Sequence, residues 1–375
     1  MNPRETAVKR YLIGSLVLAG SAGFASSSAW AQSAVTVYGA LDAGITYANN
    51  SGPNNGNTVR MDTGTLYGNR VGFRGVEDLG GGNRAIFLTE SGFALDNGAS
   101  TQGGLLFGRQ SYVGLESNYG TLTVGRQYTL DLELAPYHAF VASRVNNFAG
   151  ISHWVDRLGD RVDNSLRYKS PVMNGFTVAA LIGLGEKAGS QSASRTLNGA
   201  VNYVNGPLAA GATYLRINDA NGDRLTGVAV IDGQYTFGAT TLHLAYTDTH
   251  GVAANSLCFS TCAANSAQIV RTYETGVDYQ LNATNRVYGG GALTKFTDGL
   301  SGKALQYNLA AFHTLSKRTE LYSLFSLTKT TGLDGFARAA FGTPDFGATA
   351  FVTNPQGTAN KASQMALRVG MTHRF

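Results

Sequence analysis

From Val35 onward, apolar side chains recur at every second position. Val35, Val37, Leu41, Ala43, Ile45 and Tyr47 fall on one face of an extended segment, and Thr36, Tyr38, Asp42 and Thr46 on the other. Side chains alternate across a strand with period two, so this stretch is a strand with one apolar side. Tyr67 to Glu77 reads as the next strand. It runs into the glycine turn Asp78-Leu79-Gly80-Gly81-Gly82-Asn83, and Arg84 to Phe93 returns as its antiparallel partner. An Asn, Ser and Gly-rich loop spans residues 94–104, and Leu105 to Glu116 leads to a second tight turn at Asn118-Tyr119-Gly120.

The same rhythm continues to the end of the chain. Tight turns recur at Val172 to Gly175, Asn205 to Pro207, Phe237 to Ala239, Asn282 to Thr284 and Ser316 to Arg318. Between them lie longer connections at about 186–194, 217–224, 250–268, 298–303 and 331–362. One end of the sheet therefore carries hairpin turns and the other carries the loops. The alternation is cleanest late, where Tyr273, Thr275, Val277, Tyr279 and Leu281 oppose Thr272, Glu274, Gly276, Asp278 and Gln280, and Met365, Leu367, Val369 and Met371 oppose Gln364, Arg368 and Thr372. The expected fold is all-β, with about sixteen antiparallel strands of roughly ten residues, the pattern of a transmembrane β-barrel. A water-soluble sandwich alternates in the same way, but one of this size divides into domains, and no linker interrupts this chain. Aromatics at strand ends, such as Tyr47, Phe93, Phe176 and Phe375, fit an interfacial girdle.

One connection stands apart. After the strand-like Thr121 to Tyr128, residues 129–160 have no clean period, and strand character resumes at Asp163 to Lys169. An unstructured connection of that length inside a compact domain is normally functional or disordered. Arginines crowd its two ends, with Arg109 and Arg126 before it and Arg161 and Arg167 after it.

Composition, charge and the N-terminus add further points. Glycine, at 48 of 375 residues, is well above the usual share of about 7%, and charged residues, at 14%, are well below the usual level of about 25%. Many short strands and tight turns account for the glycine. At the N-terminus, Arg4, Lys9 and Arg10 precede an apolar run from Tyr11 to about Ala25, closed by Ala29-Trp30-Ala31. This is a secretory signal peptide over residues 1–31, cleaved after Ala31, so the mature chain is exported. Removing it leaves a net charge of about +3, too small an excess to suggest nucleic acid. Cys258 and Cys262 sit in a polar connection where an exported chain can form a small loop disulfide. No His or second Cys pair lies nearby, so no metal site is expected.

Several stretches carry a resemblance to a known family. They are Arg70-Val71-Gly72-Phe73-Arg74-Gly75 running into Glu77-Asp78-Leu79-Gly80-Gly81-Gly82, then Tyr112-Val113-Gly114-Leu115 to Tyr119-Gly120 followed by Gly125-Arg126-Gln127-Tyr128, then Asp163 to Tyr168, and the terminal Phe375. In this order and spacing they resemble the Gram-negative general porins, most closely the β-proteobacterial and neisserial-type branch, over the whole mature chain. The resemblance implies a 16-stranded barrel assembling as a homotrimer in the cell outer membrane, with periplasmic termini and a third external loop folded inward. It also implies passive diffusion of ions and small polar solutes, no cofactor, and contacts with outer-membrane lipid, lipopolysaccharide and the barrel-assembly machinery, with Phe375 as the assembly signal. By position, Arg70 and Arg126 match the family's wall arginines, and Arg161 and Arg167 lie near a third. Asp131 and Glu133 are carried over as the constriction loop's acidic pair by location. Two departures stand out: Ala40 occupies a position where some members carry a basic residue, and the loop lacks a Pro-Glu-Phe-Gly-Gly-like turn.

Arginine suits a pore wall because its charge persists at any physiological pH and its planar group can stack while hydrated. Arg70 shares strand parity with Gly72 and Arg74, opposite Val71 and Phe73, so the basic face should be the lumen. On the lipid face near the midplane an arginine costs about 2–4 kcal/mol. With Arg109, Arg161 and Arg167 as further candidates, cations outnumber the two loop carboxylates and favour anions. An outer-membrane enzyme would need a nucleophile or base with an orienting partner. His138, His153, His243, His250, His313 and His373 are scattered without one, so no catalytic residue is assigned and the protein is read as not an enzyme. An autotransporter barrel is disfavoured, since strands begin almost at the cleavage site, and a surface adhesin, also disfavoured, would be extractable without detergent.

Overall fold

The computed structural model describes residues 34–51, 56–131, 161–251, 269–298, 301–332 and 361–375. The signal segment, Glu133, the rest of the long connection over 132–160, Cys258 and Cys262 lie outside them, as do His138 and His153. Among the described residues the chain forms seventeen strand segments. These are β1 (Ala34–Ser51), β2 (Gly56–Thr63), β3 (Arg70–Gly80), β4 (Asn83–Gly92), β5 (Gln110–Ser117), β6 (Gly120–Tyr128), β7 (Arg161–Lys169), β8 (Phe176–Gly183) and β9 (Thr196–Asn205). They continue as β10 (Leu208–Asn218), β11 (Arg224–Phe237), β12 (Thr240–His250), β13 (Ile269–Gln280), β14 (Asn285–Thr297), β15 (Gly302–Thr314), β16 (Thr319–Thr331) and β17 (Lys361–Arg374).

All neighbours pair antiparallel in one sheet that closes on itself, because β1 pairs with β17 from Ala40 opposite Arg374 to Ala48 opposite Ala366. Segments β2 and β3 share one place beside β1: β2 pairs with its second half and β3 with its first. Seventeen segments thus make sixteen staves, the second broken at residues 64–69. Closure removes the sheet edges, which no lipid-exposed strand can leave unpaired.

The turn-and-loop rhythm holds to within a few residues. The second stave differs from expectation: a single strand from Tyr67 was expected, and β2 was not. The Asn-rich stretch before it conceals the strand, and Leu66 and Tyr67 belong to the break. The break folds against the inner wall. Leu66 is buried in a cluster with Tyr288, Ala292, Ala310, Phe312 and Leu324, and its neighbour Tyr67 packs against that cluster.

Alternation separates two environments. Val35, Val37, Ile45, Val113, Leu244, Leu309 and Val369 are exposed on the outer face. Asp42, Thr46, Thr247, Thr272, Asn308 and Ser326 alternate with such positions and are buried inside. An apolar outside around a polar inside inverts the soluble pattern and suits lipid. No helix of the described residues is long and apolar enough to cross a membrane.

The candidate pore wall

The basic wall is built on β3 to β7. Register aligns Tyr38 of β1 with Gly72 of β3, and Gly72 with Glu90 of β4, in one row on the inner face. A Cβ on Gly72 would lie 2.6 Å from the Tyr38 ring, so only glycine lets that tyrosine lie flat across the wall. Its hydroxyl then donates to Glu90 Oε2 at 2.8 Å. Tyr322 over Gly370 and Tyr288 over Gly276 repeat the arrangement elsewhere on the inner surface.

Glu90 organises the arginines. Its Oε1 accepts from Arg109 Nε at 2.7 Å, and Arg70 Nε stands 3.9 Å from Oε2. Arg109 also donates to the Tyr128 hydroxyl at 2.6 Å. Arg161 lies 4.8 Å from the centre of the same ring, donates to that hydroxyl at 3.3 Å, and reaches the Arg109 carbonyl with Nε at 3.1 Å. Arg70, Arg109 and Arg161 are thus gathered around one carboxylate and one tyrosine. Arg74 stands apart, 5.7 Å from the Tyr38 ring.

Arg167 pairs in register with Thr123 and Leu181, both buried inside, so it shares the inner face with Lys169 two residues on. Arg126 lies where the β6–β7 pairing shifts register, donates to the Gly108 carbonyl at 2.8 Å, and is ion-paired to Asp163. It is tied to a carboxylate of its own and stands outside the Glu90 cluster.

Glu90, Asp163 and Lys169 escaped the sequence reading. Glu90 carried a usable signal, the parity it shares with Gly92 in a strand facing Arg70, but its link to Arg109 depends on register between strands. The sequence reading also placed acidic residues on the loop alone. Asp232 of β11 and Glu274 of β13 are buried on the inner wall. In a sixteen-stave barrel, staves eight apart face each other. These two occupy staves ten and twelve, across from β3 and β5.

At Tyr128 the chain leaves the wall. Thr129, Leu130 and Asp131 are buried, and Leu130 packs with Val162, Ala179 and Leu181. Its N–H donates to Asn198 Oδ1 at 2.6 Å. At the last strand, Phe375 exchanges backbone hydrogen bonds with Gly39, at 3.0 and 3.2 Å, and its ring covers that glycine.

A Gram-negative porin family model matches residues 14–333. An outer membrane porin protein of Bordetella pertussis is 30% identical, across 86% of this chain and 94% of its own. Outer membrane porin protein 32 of Delftia acidovorans is 29% identical over 98% of this chain and all of its own. Among solved structures, an anion-selective porin from Comamonas acidovorans superposes with a TM-score of 0.72 at 27% identity, over 92% of this chain and all of that one. With a closed sixteen-stave barrel, an apolar exterior and a charged interior, this chain belongs to the Gram-negative porin family, whose members are outer-membrane channels for passive diffusion of small hydrophilic solutes.

Proposed function

We propose that this porin prefers anions, with its selective region between the basic wall and the connection over residues 129–160. The observation that carries the reading is the wall itself: Arg70, Arg74, Arg109, Arg161, Arg167 and Lys169 on β3 to β7 against Glu90. Fixed charges of one sign on a water-filled path set ion preference. The inward packing of Leu130 supports a loop that narrows the lumen, with Asp131 and Glu133 near its start. The solved relative named for anion selectivity supports the same sign. In a tenfold potassium chloride gradient across a planar bilayer, the reversal potential is expected to take the chloride sign. A clear potassium sign would overturn the reading.

The functional unit in this reading is a homotrimer in the outer membrane, reached after removal of residues 1–31. Phe375 serves as the signal read by the barrel-assembly machinery. Deleting Phe375 is expected to reduce folded trimer in the outer membrane several-fold, as read on unheated gels. Wild-type amounts would leave it as an ordinary strand end that caps Gly39.

A further inference from the structure

From the Glu90 cluster toward the tight turns, the inner wall changes from charged to apolar. Inward positions on β3 pass from Arg74 to Val76 and Asp78, and those on β4 from Glu90 to Leu88, Ile86 and Arg84. Register places Leu88 opposite Arg74 and Ile86 opposite Val76. On the other side of β4, Tyr112 of β5 stands opposite Leu88 and Gly114 opposite Ile86. Val76, Ile86, Leu88 and the Tyr112 ring thus form an apolar island on the wall that faces the lumen.

The island is open. Val76 is 40% exposed, and Ile86, Leu88 and Tyr112 are half-buried. Phe73 and Phe87 take the alternate positions on the lipid side, where the Phe87 ring covers Gly75. Apolar surface left in contact with water is unfavourable, and a ligand's own apolar surface relieves it by displacing that water. A wall that served only small ions and polar solutes would gain nothing from these side chains.

Charges border the island unequally. On the cluster side stands Arg74, exposed, with its guanidinium 5.7 Å from the centre of the Tyr38 ring. No carboxylate of the described residues lies within ion-pair distance of it. On the turn side, Arg84 is ion-paired to Glu116 and stands opposite Asp78, which leaves one net negative charge there. An anion on the island is therefore oriented, with its charge on Arg74 and its body toward the turns. From Arg74 to Val76 is two residues, about 7 Å along a strand. One aromatic ring or a short alkyl chain covers that span.

We propose that this island is a subsite for small monoanions with an apolar body, the aryl and short alkyl carboxylates and sulfonates. Arg74 holds the charged end, and Val76, Ile86 and Leu88 hold the body. The subsite rests on the anion-preferring reading above, since the solute must enter the basic lumen to reach it. It adds a second criterion to charge: of two anions of equal charge, the one with the apolar body stays longer. A cation of the same shape meets Arg74 and the neighbouring arginines, and is disfavoured.

The test uses full-length mature protein in a planar bilayer, with benzenesulfonate as probe and methanesulfonate as its control of equal charge. Both are read as block of the single-channel potassium chloride current. Benzenesulfonate is expected to reach half-block at a concentration at least tenfold below methanesulfonate. Combining Val76→Thr, Ile86→Thr and Leu88→Asn should raise the half-blocking concentration of benzenesulfonate at least fivefold and move that of methanesulfonate less than twofold. Arg74→Gln should weaken block by both. Benzylammonium should block at least tenfold more weakly than benzenesulfonate. Equal block by the two sulfonates would overturn the proposal, as would undiminished benzenesulfonate block in the triple variant. Benzylammonium as effective as benzenesulfonate would also overturn it, by assigning the block to the ring alone. The reversal potential reads the anion preference separately: a chloride sign with no difference between the sulfonates sinks the subsite alone, and a potassium sign sinks the preference it rests on. If the triple variant fails to refold, Ile86→Thr alone should still weaken benzenesulfonate block, and no weakening would overturn the subsite.

Discussion

Arg368→Met is expected to destabilise the folded barrel by about 3–5 kcal/mol, the cost of breaking a buried ion pair from one side. Arg368 of β17 and Asp42 of β1 are both fully buried, with 3.4 Å between them. Around the pair, Tyr322 donates its hydroxyl proton to Asp42 Oδ1 at 2.6 Å and accepts from Arg368 Nε at 2.7 Å. Arg368 also donates to the Asp62 carbonyl at 2.9 Å and stands 3.7 Å from the Asp62 carboxylate. The second oxygen of Asp42 receives the Tyr67 N–H of the stave break at 3.1 Å. Removing the guanidinium leaves the buried Asp42 carboxylate without a cation, while Asp62 keeps Arg60 at 2.7 Å. A denaturant titration of refolded protein, read by the mobility difference between folded and unfolded barrel, measures the loss. A change under 1 kcal/mol would refute the role assigned to the pair. Adding Asp42→Asn to Arg368→Met should restore part of the stability, since it removes one stranded charge.

Glu90→Gln should raise the anion-to-cation permeability ratio about fivefold. Among the described residues this carboxylate is the one acidic group that reaches Arg70 and Arg109, and its side chain is 4% exposed. A unit charge acting on a passing ion several ångströms away, in a medium between protein and water, contributes on the order of 1 kcal/mol. That amounts to about fivefold in a permeability ratio. Glutamine keeps an oxygen for Arg109 and a polar partner for Tyr38, so the wall geometry should persist. Reversal potentials for Glu90→Gln and Arg70→Gln should move in opposite directions from wild type. Movement of both in the same direction would show that these residues act through loop position and not through charge.

What the sequence made legible was whatever has period two. The inner placement of Arg70 and Arg74 follows from Val71 and Phe73 between them, and the turn side and loop side follow from connection lengths. Register between strands was not legible. Tyr38, Gly72 and Glu90 are far apart in sequence and meet only because β1, β3 and β4 align them. The same holds for Asp232 and Glu274, whose place across the lumen depends on counting staves around a closed barrel. The break between β2 and β3 was hidden for a different reason. A strand interrupted by a short inward excursion has too few residues on either side to show a clean alternation.

The seam between β1 and β17 also governs how the barrel can form. Along the rest of the sheet, each stave pairs with the ones before and after it, so the wall grows by local hairpins. The contact of Asp42 with Arg368 spans 326 positions, nearly the whole chain. Loop-closure entropy rises only logarithmically with length, so this last joint costs little more than a contact of half the span. Contacts that are distant in sequence nevertheless form late, because the intervening strands must first be in place. Until then β1 and β17 are open edges, and Arg368 and Asp42 are charges in search of a partner. Their pairing marks the moment at which an open ribbon becomes a ring.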